Sequence, residues 1–176
     1  MTVDPIRPAD PIRPVDPIRP ADPIRPVGAA TTTTATDSAN PWVAEHIRRF
    51  EETAGQPRPG ISDLLLTTRG RRSGLLRRTA LAYVRDGDGD GAAYVLTASN
   101  AGAERHPAWY LNLEADPAVT LQVGAGTFAA TARRATPAEA ERLWPVVVAA
   151  MPSYAAYRAA TDREIPLVLV TRAGGA

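Results

Sequence analysis

From Asn40 onward the chain switches between helical and strand-like hydrophobic spacing. Asn40-Pro41 puts a good N-cap before proline at the first helical position, and Val43, Ile47 and Phe50 then recur on one face, which predicts a helix over residues 40–53. The AGQPRPG segment breaks it. Residues 61–68 form a short apolar strand leading into a turn bracketed by Gly70 and Gly74, and residues 75–84 read as a second, less regular strand. After a hairpin loop at residues 86–91, a third strand covers residues 92–98. Residues 107–115 give a short helix stopped by Asp116-Pro117, and residues 119–123 and 127–134 give two strands joined by Gly124-Ala125-Gly126. Thr136-Pro137-Ala138-Glu139 has capping-box spacing and starts a helix to about residue 150. Pro152-Ser153 ends it and caps another, on which Tyr154 and Tyr157, three apart, share a side; residues 167–171 form the last strand. Six short strands without regular strand–helix alternation predict an α+β fold, a mostly antiparallel six-stranded barrel with helices packed outside.

The segment before Asn40 follows another rule. Residues 4–27 are four copies of D-P-I-R-P-A or D-P-I-R-P-V, in which two prolines in every six residues exclude helix and ladder and a single isoleucine offers little to bury. The expected organisation is a disordered, charge-neutral tail and Thr-rich linker over residues 1–39, followed by one folded domain over residues 40–176. The repeats fit either a tether or groove ligand, or an extension without a role.

Composition removes several classes of function. The chain has no cysteine, which excludes disulfides, thiolate nucleophiles and thiolate metal sites. Its apolar runs fall short of the roughly 20 residues a membrane-spanning helix needs, so the expectation is a cytoplasmic protein, with peripheral membrane contact through the first helix open but unsupported. A net charge of +1 argues against a nucleic-acid-coating protein. All twenty cations are arginine, consistent with a coding bias that makes any single arginine weak evidence of selection.

Clustering is stronger evidence. Arg69, Arg71, Arg72, Arg77 and Arg78 fall within ten residues around the Gly-bracketed turn. Guanidinium groups and turn N–H groups together suit a phosphate or carboxylate, and a solvated, salt-bridged hairpin is the competing reading. His46 and His106 lack partners at ligand spacing, and residues 86–97 lack the closing Glu of a calcium loop, so no metal is expected. Ser99 has no identifiable base and suits hydrogen bonding better than nucleophilic attack. Trp109, Tyr110 and Trp144 read as core, whereas Tyr154 and Tyr157 suit either a core or a pocket wall. No G-x-G-x-x-G or Walker sequence explains the arginine turn.

Three blocks carry a resemblance: LLLTTRGRRSGLLRRTALAYV, LTASNAGAERHPAWYLNLEADPAVTLQV and WPVVVAAMPSYAAYRAATDREIPLVLV. In this order they resemble the actinobacterial deazaflavin-dependent nitroreductases, over residues 64–170. The resemblance implies a split β-barrel of the flavin-binding type and coenzyme F-420, an 8-hydroxy-5-deazaflavin, in preference to FMN. By matching position it implies Arg71, Arg72, Ser73, Gly74 and Arg77 on the coenzyme's phosphate and glutamyl tail, with Thr79 nearby. It implies Ser99 and Asn100 beside the ring, Trp109 at the coenzyme and substrate pocket, and Asn112 supporting it. Met151, Tyr154 and Tyr157 fall on the substrate side, and Ser99, Tyr154 and Tyr157 are the candidates for catalysis.

The implied activity is hydride transfer from reduced F-420 to a planar small-molecule acceptor, a quinone or nitro compound, with a tyrosine or a water ordered by Ser99 supplying the proton. The alternative is a flavin- or deazaflavin-binding carrier that does not turn its ligand over. Three positions depart from the family pattern: Arg72 stands where lysine is frequent, Ala80 where proline is common and Met151 where tyrosine is common. The last falls on the substrate side. Oligomeric state is open.

Overall fold

The computed structural model describes residues 34–56, 58–89 and 91–174. The hexapeptide repeats and the start of the Thr-rich linker therefore lie outside the described residues. In chain order the elements are β1 (Thr36–Asp37), α1 (Pro41–Glu52), β2 (Asp63–Arg69), β3 (Leu76–Asp86) and β4 (Ala93–Thr97). A 3-10 turn (Asn100–Gly102) precedes α2 (Ala108–Ala115), β5 (Ala118–Val123) and β6 (Gly126–Arg134). The chain continues through α3 (Pro137–Ala150), α4 (Ser153–Ala159) and β7 (Leu167–Arg172).

Strands β3-β2-β5-β6-β7-β4 pair antiparallel in that order, and β4 pairs back onto β3 through Tyr83 opposite Leu96 and Asp86 opposite Ala93. The sheet is thereby closed into the expected six-stranded barrel. At 11 residues β3 is the longest strand, long enough to meet β1 at its start and β4 at its end. β1 adds a parallel pair, Thr36 with Arg77 and Asp37 with Arg78, inside the stretch expected to be linker. Two residues carry no readable periodicity. The pairing is reinforced by Arg78, which donates to both Asp37 carboxylate oxygens at 2.6 and 3.0 Å.

Side chains alternate across each strand, so the two faces build different cores. Leu64, Leu66, Leu96, Leu121, Val168 and Val170 cluster inside the barrel with Trp109, Tyr110 and Leu113 of α2. On the outer face Leu65 and Ala80 meet Ile47 and Phe50 of α1, and Val95, Leu167 and Leu169 meet Leu143 and Val147 of α3. β2 is therefore covered on both sides, which is why its run of leucines does not alternate with polar residues. Each fully buried leucine contributes about 1.5–3 kcal/mol of transfer free energy. α1 and α3 pack outside as expected, whereas α2 feeds the interior because its aromatic residues are too large to leave over a polar rim.

The helix starts follow their sequence signals. Asn40 Oδ1 accepts from Trp42 N–H at 3.0 Å, and Thr136 Oγ1 accepts from Glu139 N–H at 3.3 Å while Glu139 Oε2 accepts from Thr136 N–H at 2.8 Å. Glu139 also receives Arg133, whose hydrogen bonds, with those of Thr136, bring its carboxyl down to about 2. Asp86 accepts both N–H groups of Arg142 at 2.8 Å, tying α3 to the end of β3. Among the described residues, no helix is long and apolar enough to cross a membrane.

Candidate functional site

The arginine turn closes on its own backbone. Gly70 N–H donates to Leu75 C=O at 2.8 Å, Gly74 N–H donates to Gly70 C=O at 2.7 Å, and Gly74 takes φ +68°. Ser73 Oγ accepts from Leu75 N–H at 3.3 Å, leaving its own O–H to donate outward. One polar pair then fixes the turn to the barrel. Asn112 Oδ1 accepts from Arg71 N–H at 3.2 Å, and Asn112 Nδ2 donates to Thr68 Oγ1 at 3.1 Å. Thr68 and Asn112 are both buried, and Thr68 sits opposite Arg77 across the β2–β3 ladder. Asn112 therefore ties the start of the turn to the end of β2.

The five arginines separate into two sets. Arg78 is spent on Asp37 and Glu51, and Arg69 on Gly74 C=O at 3.0 Å and Asp116 at 3.6 Å. Arg71, Arg72 and Arg77 are exposed and have no carboxylate partner among the described residues. Thr79, half-buried, lies two residues beyond Arg77 on the same face of β3 and opposite Leu66. The cluster thus divides into Arg69 and Arg78, which are paired within the fold, and Arg71, Arg72 and Arg77, which face solvent without a carboxylate partner among the described residues.

Ser99 lies at the end of β4, buried, and opens a loop of unusual backbone geometry. Asn100, Ala101 and Gly102 take φ values of 48°, 52° and 79°, three consecutive left-handed residues of which two carry a Cβ. Asn100 Nδ2 donates to Arg105 C=O at 2.9 Å. Gly102 approaches α4 so closely that a Cβ would lie 3.0 Å from Tyr157 C=O. The Ser99 loop and the tyrosine helix are thus adjacent.

Tyr154 and Tyr157 do share a side of α4, with ring centroids 6.0 Å apart at 72°. Tyr154 and Met151 line a cavity of about 150 Å³ with Ser62, Tyr83, Thr97 and Val147. That is roughly the volume that holds one benzene ring, and well below the roughly 300–1,000 Å³ of a drug-sized ligand site. Burial pushes the Tyr154 phenol up, opposed by a hydrogen bond with Thr97. A larger groove of about 660 Å³ runs between α3, α4 and residues 161–165, and none of the expected site residues lines it.

Trp109 is buried in the barrel interior, edge-on to Tyr110 at 6.2 Å. Asn112, expected to support Trp109, makes its described hydrogen bonds to Arg71 and Thr68 instead. α2 packs against β2, and this places the Asn112 amide beside Thr68 at the strand's end and within reach of the turn that follows it.

Several participants carry little sequence signal. Thr68 could have been found as a polar residue continuing the inward positions of Leu64 and Leu66. Half-buried Arg58 and His46 surround the buried Asp63 beside the cavity wall: Arg58 donates to both Asp63 oxygens at 2.8 and 2.9 Å, and His46 Nε2 lies 3.3 Å from Asp63. Arg163, which cradles the Ser99 loop, has no periodic or motif context.

A closed six-stranded antiparallel barrel with a cationic hairpin at a strand end defines a split-barrel protein of the flavin-binding type. Residues 42–172 match the family described as F420H(2)-dependent quinone reductase, and the chain belongs to that family. An F420H(2)-dependent quinone reductase of Mycobacterium tuberculosis is 41% identical over 112 residues, spanning 62% of this chain and 72% of the relative. A solved F420-H2 dependent reductase shares 38% identity with a TM-score of 0.55, covering 62% of this chain and 93% of that one. Another solved structure, a domain-swapped dimer, shares 38% identity with a TM-score of 0.57 over 73% of this chain and 96% of its own.

Proposed function

We propose that this protein is an oxidoreductase that takes reduced coenzyme F-420 as hydride donor and a planar small molecule, a quinone or nitro compound, as acceptor. The observation that carries the reading is the set of three exposed arginines without carboxylate partners among the described residues, on a hairpin whose backbone is fixed by Asn112. These residues fit a coenzyme with a phosphate and an acidic tail, since guanidinium groups and the Ser73 hydroxyl are all donors. When bound, the coenzyme supplies a hydride from C5 of its ring.

The chain's own groups bind and orient. Arg71, Arg72, Ser73, Gly74 and Arg77 take the anionic tail, with Thr79 beside them. Ser99 and Asn100 position the ring, with Trp109 as an apolar wall. Met151, Tyr154 and Tyr157 border the acceptor. Tyr154, its phenol pushed up by burial, keeps its proton at neutral pH and can present that O–H as a hydrogen-bond donor to an acceptor oxygen.

The test is a titration with F-420 and FMN, followed by oxidation of the reduced coenzyme with quinones and nitroaromatics. Selective F-420 binding with acceptor-dependent oxidation is expected. Tight binding without oxidation in the presence of any acceptor would point to a carrier, and absence of binding would sink both.

A further inference from the structure

The loop that carries Ser99 and Asn100 is strained, and one side chain accounts for its shape. A left-handed conformation costs roughly 1–2 kcal/mol at each residue with a Cβ, and such backbone persists only where its surroundings over-determine it. Asn100 and Ala101 both carry that cost, with φ of 48° and 52°. The backbone bonds within it are two, Gly102 N–H to Ser99 C=O and Ala103 N–H to Asn100 C=O, each at 3.0 Å, and the Asn100 side chain adds one to Arg105 C=O.

Arg163, sixty residues further on, supplies three more. Its Nε donates to Ala103 C=O at 2.7 Å, its Nη2 to Ser99 C=O at 2.5 Å, and its Nη1 to Ala98 C=O at 3.2 Å. Nη1 also reaches Glu164 C=O at 3.1 Å and His106 Nδ1 at 3.2 Å. Among the described residues no carboxylate pairs with it. A guanidinium, planar and with five donors, spans the first and last residues of the loop at once; an ammonium, with three donors on one atom, does not.

We infer that Arg163 is a positioning residue for the reaction: by bonding Ala98, Ser99 and Ala103 together it holds Ser99 and Asn100 in the conformation that meets the coenzyme ring. The inference rests on the proposed role of Ser99 and Asn100. A misplacement of about 1 Å costs about 100-fold in rate, so release of the loop should be felt in turnover. Binding should be felt less, because the arginines that take the anionic tail sit on a separate hairpin.

Arg163→Ala and Arg163→Lys are compared with the unsubstituted full-length chain by amide hydrogen exchange and by steady-state oxidation of reduced F-420 with a fixed quinone. Arg163→Ala should speed exchange at residues 99–103 and lower kcat by about 10-fold to 100-fold, with the coenzyme Kd changed less than about 3-fold. Added guanidinium at millimolar levels should restore part of both, and Arg163→Lys should not. Unchanged exchange at residues 99–103, or loss of kcat matched by global unfolding in both variants, overturns the inference. Faster exchange with unchanged kcat also overturns it. If the unsubstituted chain does not oxidise reduced F-420 at all, the proposed function fails, while the exchange measurement still decides whether Arg163 holds the loop.

Discussion

Asn112 Oδ1 accepts the backbone N–H of Arg71 at 3.2 Å, joining residues 41 apart in the chain. Asn112 is buried, and its amide nitrogen is engaged by Thr68. Asn112→Leu should therefore leave Thr68 Oγ1 and Arg71 N–H without these partners, at about 1–3 kcal/mol for the buried Thr68 hydroxyl and less for the N–H of the exposed Arg71. The thermal midpoint should fall, and coenzyme affinity should fall by about 10-fold as the hairpin loosens. Asn112→Ser, short of both partners, should give an intermediate result by differential scanning fluorimetry and titration.

The two sets of arginines predict opposite phenotypes. Arg72→Ala removes a charge that has no partner among the described residues, so it should weaken F-420 binding by about 10-fold to 100-fold and leave stability unchanged. Arg78→Ala removes bonds to Asp37 and Glu51 and should cost about 1 kcal/mol of stability without changing coenzyme affinity. Denaturant unfolding and a binding titration on the same pair separate the two effects.

Breaking the Arg58–Asp63 pair tests the network around buried Asp63. Burial raises the Asp63 carboxyl, but the His46 imidazole 3.3 Å away and the hydrogen-bonded Arg58 guanidinium outweigh it and hold the group below its ordinary 3.8. Stability from this depressed group is present above the ordinary value and lost as pH falls through the folded one. In Arg58→Ala one counter-charge is gone and burial is less opposed. The variant should lose about 1.5–3 kcal/mol at pH 7, and its deficit should shrink toward pH 4, where the carboxyl is protonated more easily. Urea midpoints at the two pH values measure it.

His106 accepts from Arg163 only when its Nδ1 is unprotonated. Burial, then the Arg163 charge, lowers this imidazole from 6.5, with Arg134 acting the same way and Glu114 and Glu164 opposing. Unfolded His106 therefore binds its proton first, so its contribution is present above pH 6.5 and lost as pH falls through the folded value. Between pH 7 and 5 the thermal midpoint should drop more steeply than in His106→Asn, whose Oδ1 accepts without titrating. Parallel slopes would show that this histidine does not report on the loop.

Local rules written into the sequence account for most of the regular elements. Asn40-Pro41, the Thr136–Glu139 box, the glycine turns and the periods of the strands specify α1, α3 and all six barrel strands, because caps, turn backbones and amphipathic faces depend on residues within about one turn of one another. The two-residue strand at Thr36 has no such period and depends on Arg78.

Five arginines in ten residues, three consecutive leucines in β2 and two tyrosines three apart are equally legible in the chain, and they locate a cationic turn and a pocket helix. The tertiary structure decides which members are paired. Whether an arginine is paired depends on carboxylates such as Asp37 and Asp116, tens of residues away; whether Asn112 serves Trp109 or the turn depends on how α2 meets β2. The Ser99 loop is held from residue 163 by a side chain with no motif around it. Partner choice over such separations is set by packing of whole elements, and no local pattern of residues encodes it.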